Sequence, residues 1–234
     1  MSETILPAAS FPDLSLARPE VSHGHHLPRW EANGAIYHIA LHLADSVPQA
    51  QLEIWRSERE RLAGFLPSER VCRRDDGSTE GGSTGLNRTA AVSAADKAAL
   101  KAVYNEHVEK FLNAGHGECL LRSEGVAAAL ADVLTHSNGK LYALHEWCIM
   151  PNHVHVVVGG FTMERPMREI LQVWERASAH RINSVLGRKG PVWHRDAYTR
   201  IIRDREEYGH QMNYVWNNPE VAGLTAGFLR ERYV

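Results

Sequence analysis

Residues 150–158 read MPNHVHVVV, and the fold turns on how this stretch is arranged. Side chains alternate between the two faces of a strand, so His153 and His155 share one face and Val154 and Val156 take the other. Pro151 and Asn152 signal a turn, which places the two histidines at the opening of the strand. Two imidazoles side by side near a strand end form half of a metal site. Histidines in strands are also ordinary polar residues, so the pair gains meaning only if other parts of the chain supply further donors.

Working outward, residues 140–149 (KLYALHEWCI) form a strand that precedes the turn, making an antiparallel hairpin with the histidine strand. Residues 36–43 (IYHIALHL) alternate as another strand. Helical spacing marks 49–63, 94–112 after a Ser93 cap, a segment from Ser123 to about Gly139, and 167–186. Asp204 caps a last helix running to a stop at Asn217, Asn218 and Pro219. Interleaved strands and helices with a hairpin between strands favour a compact α+β sandwich over a parallel sheet. Residues 1–28 read as a poorly ordered leader, and 29–234 as one domain carrying a flexible, glycine-rich insertion at about 67–93.

The chain has 234 residues, 44% of them hydrophobic, with a formal net charge of −2. No apolar run approaches the ~20 residues of a membrane span, and the N-terminal stretch lacks a basic start followed by an apolar segment. Cys72, Cys119 and Cys148 form no CxxC motif, which suits a reducing cytoplasm. Charge is unevenly placed: between Arg165 and Arg205 ten basic residues stand against four acids. Such an excess suits phosphate contacts, and equally a solvated helix face.

The last helix adds donors. Tyr214 and Asn218 are four apart and therefore share a helix face. An amide oxygen is a plausible third ligand beside two imidazoles for Mg²⁺ or Mn²⁺. Equally, Tyr214 reads as a packed aromatic, and Asn218 as a helix C-cap before Pro219.

The combination of MPNHVHVVV, GRKGPVWHRDAYTRIIRD and YVWNNPEVAGL resembles the REP-associated tyrosine transposases of the single-tyrosine HUH superfamily. The opening stretch IYHIALHLADSVP is similar to that family's first strand and turn, and the resemblance covers roughly 29–66 and 97–225. It implies a ferredoxin-like α+β fold: an antiparallel sheet with helices on one face, the histidine strand central and the tyrosine helix across the site. It implies His153 and His155 as metal ligands, Asn218 as a third, amide-type ligand, and Tyr214 as the nucleophile, with Mg²⁺ or Mn²⁺ as cofactor. The implied activity is a single-strand DNA endonuclease and strand transferase acting on REP hairpins through a 5′-phosphotyrosine link, in a cytoplasmic, monomeric protein. Arg195, Arg200 and Arg203, in the WHRDAYTRIIRD block, would grip phosphate or read guanine, and Tyr198 would stack on unpaired bases. Trp193 divides between stacking and packing, with packing the larger share.

Two other readings fit the residues less well. A hairpin-binding protein that does not cut would have no need of the whole set His153, His155, Tyr214 and Asn218. A histidine-triad nucleotide hydrolase needs another histidine where Val157 stands.

Overall fold

A computed structural model describes residues 20–23, 28–32, 34–48, 50–51, 53–54, 109–162, 165–195 and 197–233. Two compact units are distinguished, Met1–Val47 with Phe111–Val234, and Pro48–Lys110. In the second unit the described residues lie only near its ends, and the insertion expected at 67–93 lies outside them, as does most of the helices expected at 49–63 and 94–112.

The first unit is built from β1 (Glu20–His23), β2 (Pro28–Glu31), β3 (Ile36–His42), α1 (Glu124–Thr135), β4 (Ala143–Ile149), β5 (His153–Gly159), α2 (Met167–Val185), β6 (Tyr198–Ile202), α3 (Arg205–Val221) and β7 (Leu229–Arg232). β1 and β2 pair with each other, so the stretch expected as a leader contains a strand and the start of a second. The main sheet has the order β6-β3-β5-β4-β7 and is antiparallel throughout. Taking β3-α1-β4-β5-α2-β6 alone, this is the split βαβ arrangement of a ferredoxin-like fold, with α3 and β7 appended. The histidine strand lies at the centre of the sheet.

Strand alternation divides the sheet into two faces. Tyr37, Ile39 and Leu41 of β3, Trp147 and Ile149 of β4, and Val154, Val156 and Val158 of β5 form one core with Val126, Leu130 and Leu134 of α1 and Ile170, Leu171 and Trp174 of α2. Ile36, Cys148, Val157 and Ile202 project from the other face and pack with Met212 and Val215 of α3. Helices therefore cover both faces, in place of the one-sided arrangement expected. The apolar run of β5 explains this: every residue of the strand is buried, so both of its faces need a cover. Among the described residues no helix is long and apolar enough to cross a membrane.

Trp193 belongs to the core, where its Nε1 donates to Ser178 Oγ at 2.8 Å, so packing is its role. The 140–149 strand begins only at Ala143, after a turn held by the Gly139 N–H on the Tyr142 carbonyl at 2.8 Å. Pro219 does not stop the last helix; it lies inside α3. Its ring has no N–H to offer the Val215 carbonyl, so the helix forgoes one bond in its last turn. The real stop is Gly223, whose φ of 68° permits a Schellman motif: Leu224 N–H donates to the Pro219 carbonyl and Gly223 N–H to that of Glu220.

Gly117 shows where the loop after residue 111 is fitted to the sheet end. Its φ is +88°, and a Cβ there would lie 2.8 Å from the Asp45 carbonyl oxygen. The neighbouring Glu118 N–H donates to Asp45 Oδ2 at 2.7 Å. Gly117→Ala combines left-handed strain with a backbone clash, so it is expected to lower unfolding free energy by about 1–3 kcal/mol. Urea denaturation checks this; an unchanged midpoint would show that the loop yields freely.

Candidate functional site

β5 brings His153 and His155 to the α3 face, both only 1% exposed. Their rings stand 4.8 Å apart at 86° to one another. β3 adds two histidines on the same face: His42 lies directly opposite His153, and His38 opposite Val157. From above, α3 presents Gln211, Tyr214 and Asn218, spaced three and four residues apart and so aligned on one face. The Tyr214 ring lies 5.4 Å from that of His155 and 5.7 Å from that of His38. The four residues expected at the centre of the chemistry thus meet within one chain.

The ring state of His153 follows from its neighbours. Both hydrogens of the Asn152 amide are engaged, donating to the Leu112 and His116 carbonyls at 3.1 Å each. Asn152 Oδ1 must then accept, so the His153 Nδ1 at 2.8 Å carries the proton and donates to it. Nε2 is left as a bare lone pair. It is buried and makes no hydrogen bond, and the same holds for both polar atoms of the Asn218 side chain, which is wholly buried. Asn218 stands beside His153 near enough to act on its titration, but without a hydrogen bond of ordinary geometry. Unsatisfied buried polar atoms cost about 1–3 kcal/mol each, and their convergence suits a shared electrophile. Asn218 is therefore no C-cap; its side chain faces the histidines.

All of these imidazoles are neutral at neutral pH. Burial pushes His38 down to about 3, with Arg200 adding to the shift, and burial takes His42 to about 3 as well. Burial also brings His153 down to about 4, partly offset by Asn218, and holds His155 well below its ordinary value. Neutral imidazole is the form that binds metal. Among the described residues no three His, Cys, Asp or Glu side chains converge as a metal-binding set; beside His153 the further oxygen donor at hand is the Asn218 amide, which could complete such a set. Two imidazoles and an amide carry no charge, which suits a divalent ion that keeps its charge for an anionic ligand. The imidazole pair favours Mn²⁺ over Mg²⁺.

The residues expected to contact DNA separate into two groups. Arg195 is exposed and makes no ion pair with a described residue. Tyr198, half-buried on β6, places its ring 5.7 Å from His38 and so borders the site. Arg200 and Arg203, by contrast, are both held by Glu207: Arg200 Nε donates to Oε1 at 2.6 Å, and Arg203 Nε to Oε2 at 3.0 Å. They fasten the first turn of α3 to β6. Burial alone would raise the Glu207 carboxyl, but the Arg203 N–H and the two guanidiniums outweigh it and hold it below its ordinary 4.5. A depressed carboxylate stabilises the fold above its unfolded-state value and loses that contribution as pH falls through the folded one. Glu207→Gln should therefore cost stability at pH 7 and flatten the acid limb of the stability curve below about pH 4.5, as followed by thermal melts. An acid limb identical to the parent's would remove Glu207 from this role.

Sequence reasoning missed His38, His42, Asn152, Gln211 and β7. The alternation of IYHIALH placed His38 and His42 on one face, which was the available signal. His42 lies against His194 in a stacked pair, centroids 4.4 Å apart. β7 contributes Arg230, whose guanidinium forks onto Glu220 with two bonds of 2.9 Å and lies 4.2 Å from the centre of the Trp216 ring. Arg232 packs on the same ring at 4.8 Å, donates to the Met212 carbonyl at 3.1 Å and pairs with the buried Glu146. These arginines hold the tyrosine helix from its other side.

No family model and no curated protein matches the sequence. Among solved structures the chain is similar to one described as a REP-associated tyrosine transposase bound to a REP hairpin, at 10% identity and a TM-score of 0.41, over 85% of this chain and 74% of that one. At that degree of likeness the site has to be read from its own geometry.

Proposed function

We propose that this protein is a metal-dependent single-strand DNA endonuclease and strand transferase that works through a covalent tyrosine intermediate. The observation that carries the reading is the placement of Tyr214 against His155 and His38, with Asn218 beside the bare Nε2 of His153. His153, His155 and Asn218 would hold Mn²⁺ or Mg²⁺. Such an ion, when bound, binds phosphate oxygens and offsets charge developing at phosphorus.

In the proposed step the Tyr214 hydroxyl oxygen attacks phosphorus. The P–O3′ bond breaks, a 5′-phosphotyrosine forms, and the tyrosine proton is passed on, ending on the departing 3′ oxygen. Attack by a different 3′-OH reverses the step and joins strands, with no nucleotide cofactor required. The resemblance of the sequence motifs to REP-associated tyrosine transposases points to REP-type hairpins as the DNA. Tyr198, which borders the site, and the exposed Arg195 are the expected DNA contacts that remain available to meet it. A monomer suffices, because β5 and α3 of one chain assemble the site.

The test is incubation with labelled hairpin oligonucleotides and Mn²⁺, followed by denaturing electrophoresis. A covalent protein–DNA adduct that disappears with chelator is expected. Hairpin binding without any adduct would favour the reading of a protein that recognises hairpins and does not cut them.

A further inference from the structure

We infer that His38 is a positioning residue for the metal ligand His155, fixing which of its ring nitrogens carries the proton. This rests on the metal-site reading above. His38 is 2% exposed, and its Nε2 lies 3.0 Å from His155 Nδ1. With Nδ1 engaged, Nε2 is the only His155 nitrogen left to ligate. Ligation needs a lone pair there, so Nδ1 must carry the proton and donate it to His38 Nε2.

The same logic applies to His153, where Asn152 Oδ1 is the acceptor on Nδ1. Each ligand thus has one partner behind it, as metal-bound histidines ordinarily do. The two partners differ in one respect. Asn152 is locked as an acceptor by its own bonds, whereas an imidazole accepts or donates according to its tautomer. His38 accepts at Nε2 only if its own proton sits on Nδ1, and that proton needs an acceptor.

Gln211 stands near enough to His38 to act on its titration, and its amide oxygen is the group able to accept that proton. Gln211 precedes Tyr214 by three residues and lies on the same face of α3. Seating α3 therefore delivers the tyrosine and sets His38, which in turn sets His155. Ligand orientation and nucleophile placement become parts of one docking event.

The experiment measures Mn²⁺ affinity of the full chain without DNA, by calorimetry, alongside the visible absorption of the Co²⁺ form. His38→Ala should weaken Mn²⁺ binding by roughly 10- to 100-fold and alter the Co²⁺ spectrum. His38→Gln, whose amide oxygen reaches about where Nε2 stood, should restore most of the affinity. Gln211→Ala should weaken binding in the same direction but less. Should His38→Ala fail to fold by circular dichroism, the other two variants decide. Parent-like Mn²⁺ affinity in folded His38→Ala, or His38→Gln as weak as His38→Ala, would overturn the role of His38 alone. A parent protein that binds no Mn²⁺ would overturn the metal site itself, and this inference with it.

Discussion

Tyr214→Phe is expected to abolish the covalent adduct while hairpin binding and Mn²⁺ affinity stay close to the parent's. The substitution removes one oxygen and leaves the ring that packs 5.4 Å from His155 and 5.7 Å from His38. Fold and site walls are therefore kept, and only the nucleophile is lost. Removing a nucleophile costs on the order of 10³-fold or more in rate, which takes adduct formation below detection. Tyr198 provides the internal control, since its ring also lies 5.7 Å from His38. It sits on β6 and not on the helix that carries Asn218, and Tyr198→Phe should still form the adduct. An adduct retained in Tyr214→Phe and lost in Tyr198→Phe would move the nucleophile from the helix to the sheet.

Much of this arrangement could be read from local periodicity. Alternation in MPNHVHVVV placed His153 and His155 on one face and the valines in a core, and the spacing of Tyr214 and Asn218 put both on one side of a helix. Both relations are internal to a single element, where geometry is set by the backbone. What escaped depends on which elements meet. His38 becomes relevant only because β3 lies beside β5, a choice made by the whole sheet and not by IYHIALHL. Arg200 and Arg203 read as DNA contacts within their own block, and only the following helix supplies Glu207, which lies between them. β7 was missed for a different reason. In LRER the inward positions are arginines, so the usual apolar alternation is absent, and the strand is recognised only by its partners on β4. Pro219 reads as a breaker in the sequence, yet the helix runs two residues past it, because the stop is set by the Gly223 motif that no residue before it announces.

Arg232→Met is expected to be the most destabilising of these substitutions, by about 3–5 kcal/mol near neutral pH. Arg232 lies opposite Glu146 in register, and its Nε donates to Glu146 Oε2. Glu146 is wholly buried, and its other oxygen, Oε1, has no hydrogen-bond partner. Burial raises the Glu146 pKa, and Arg232 is the main group opposing that rise. Without the guanidinium, the pKa must climb further. A carboxyl whose folded value lies above its unfolded one favours the fold below the unfolded value and loses that contribution as pH rises through the folded one. The deficit of Arg232→Met should accordingly be larger at pH 8 than at pH 5.5 when both proteins are unfolded in urea. The double variant Glu146→Leu with Arg232→Met should regain most of the loss, because an apolar pair of similar volume leaves no buried charge. A deficit independent of pH would mean that Glu146 is already protonated beside Arg232, and that the pair is a guanidinium donating to a neutral carboxyl and not an ion pair. The effect also reaches the site, since Arg232 packs on Trp216 and bonds the Met212 carbonyl. Amide exchange in α3 should then accelerate more than in α1 or α2, and adduct formation should slow even where the protein stays folded, because Tyr214 reaches the histidines only while α3 is held down on the sheet.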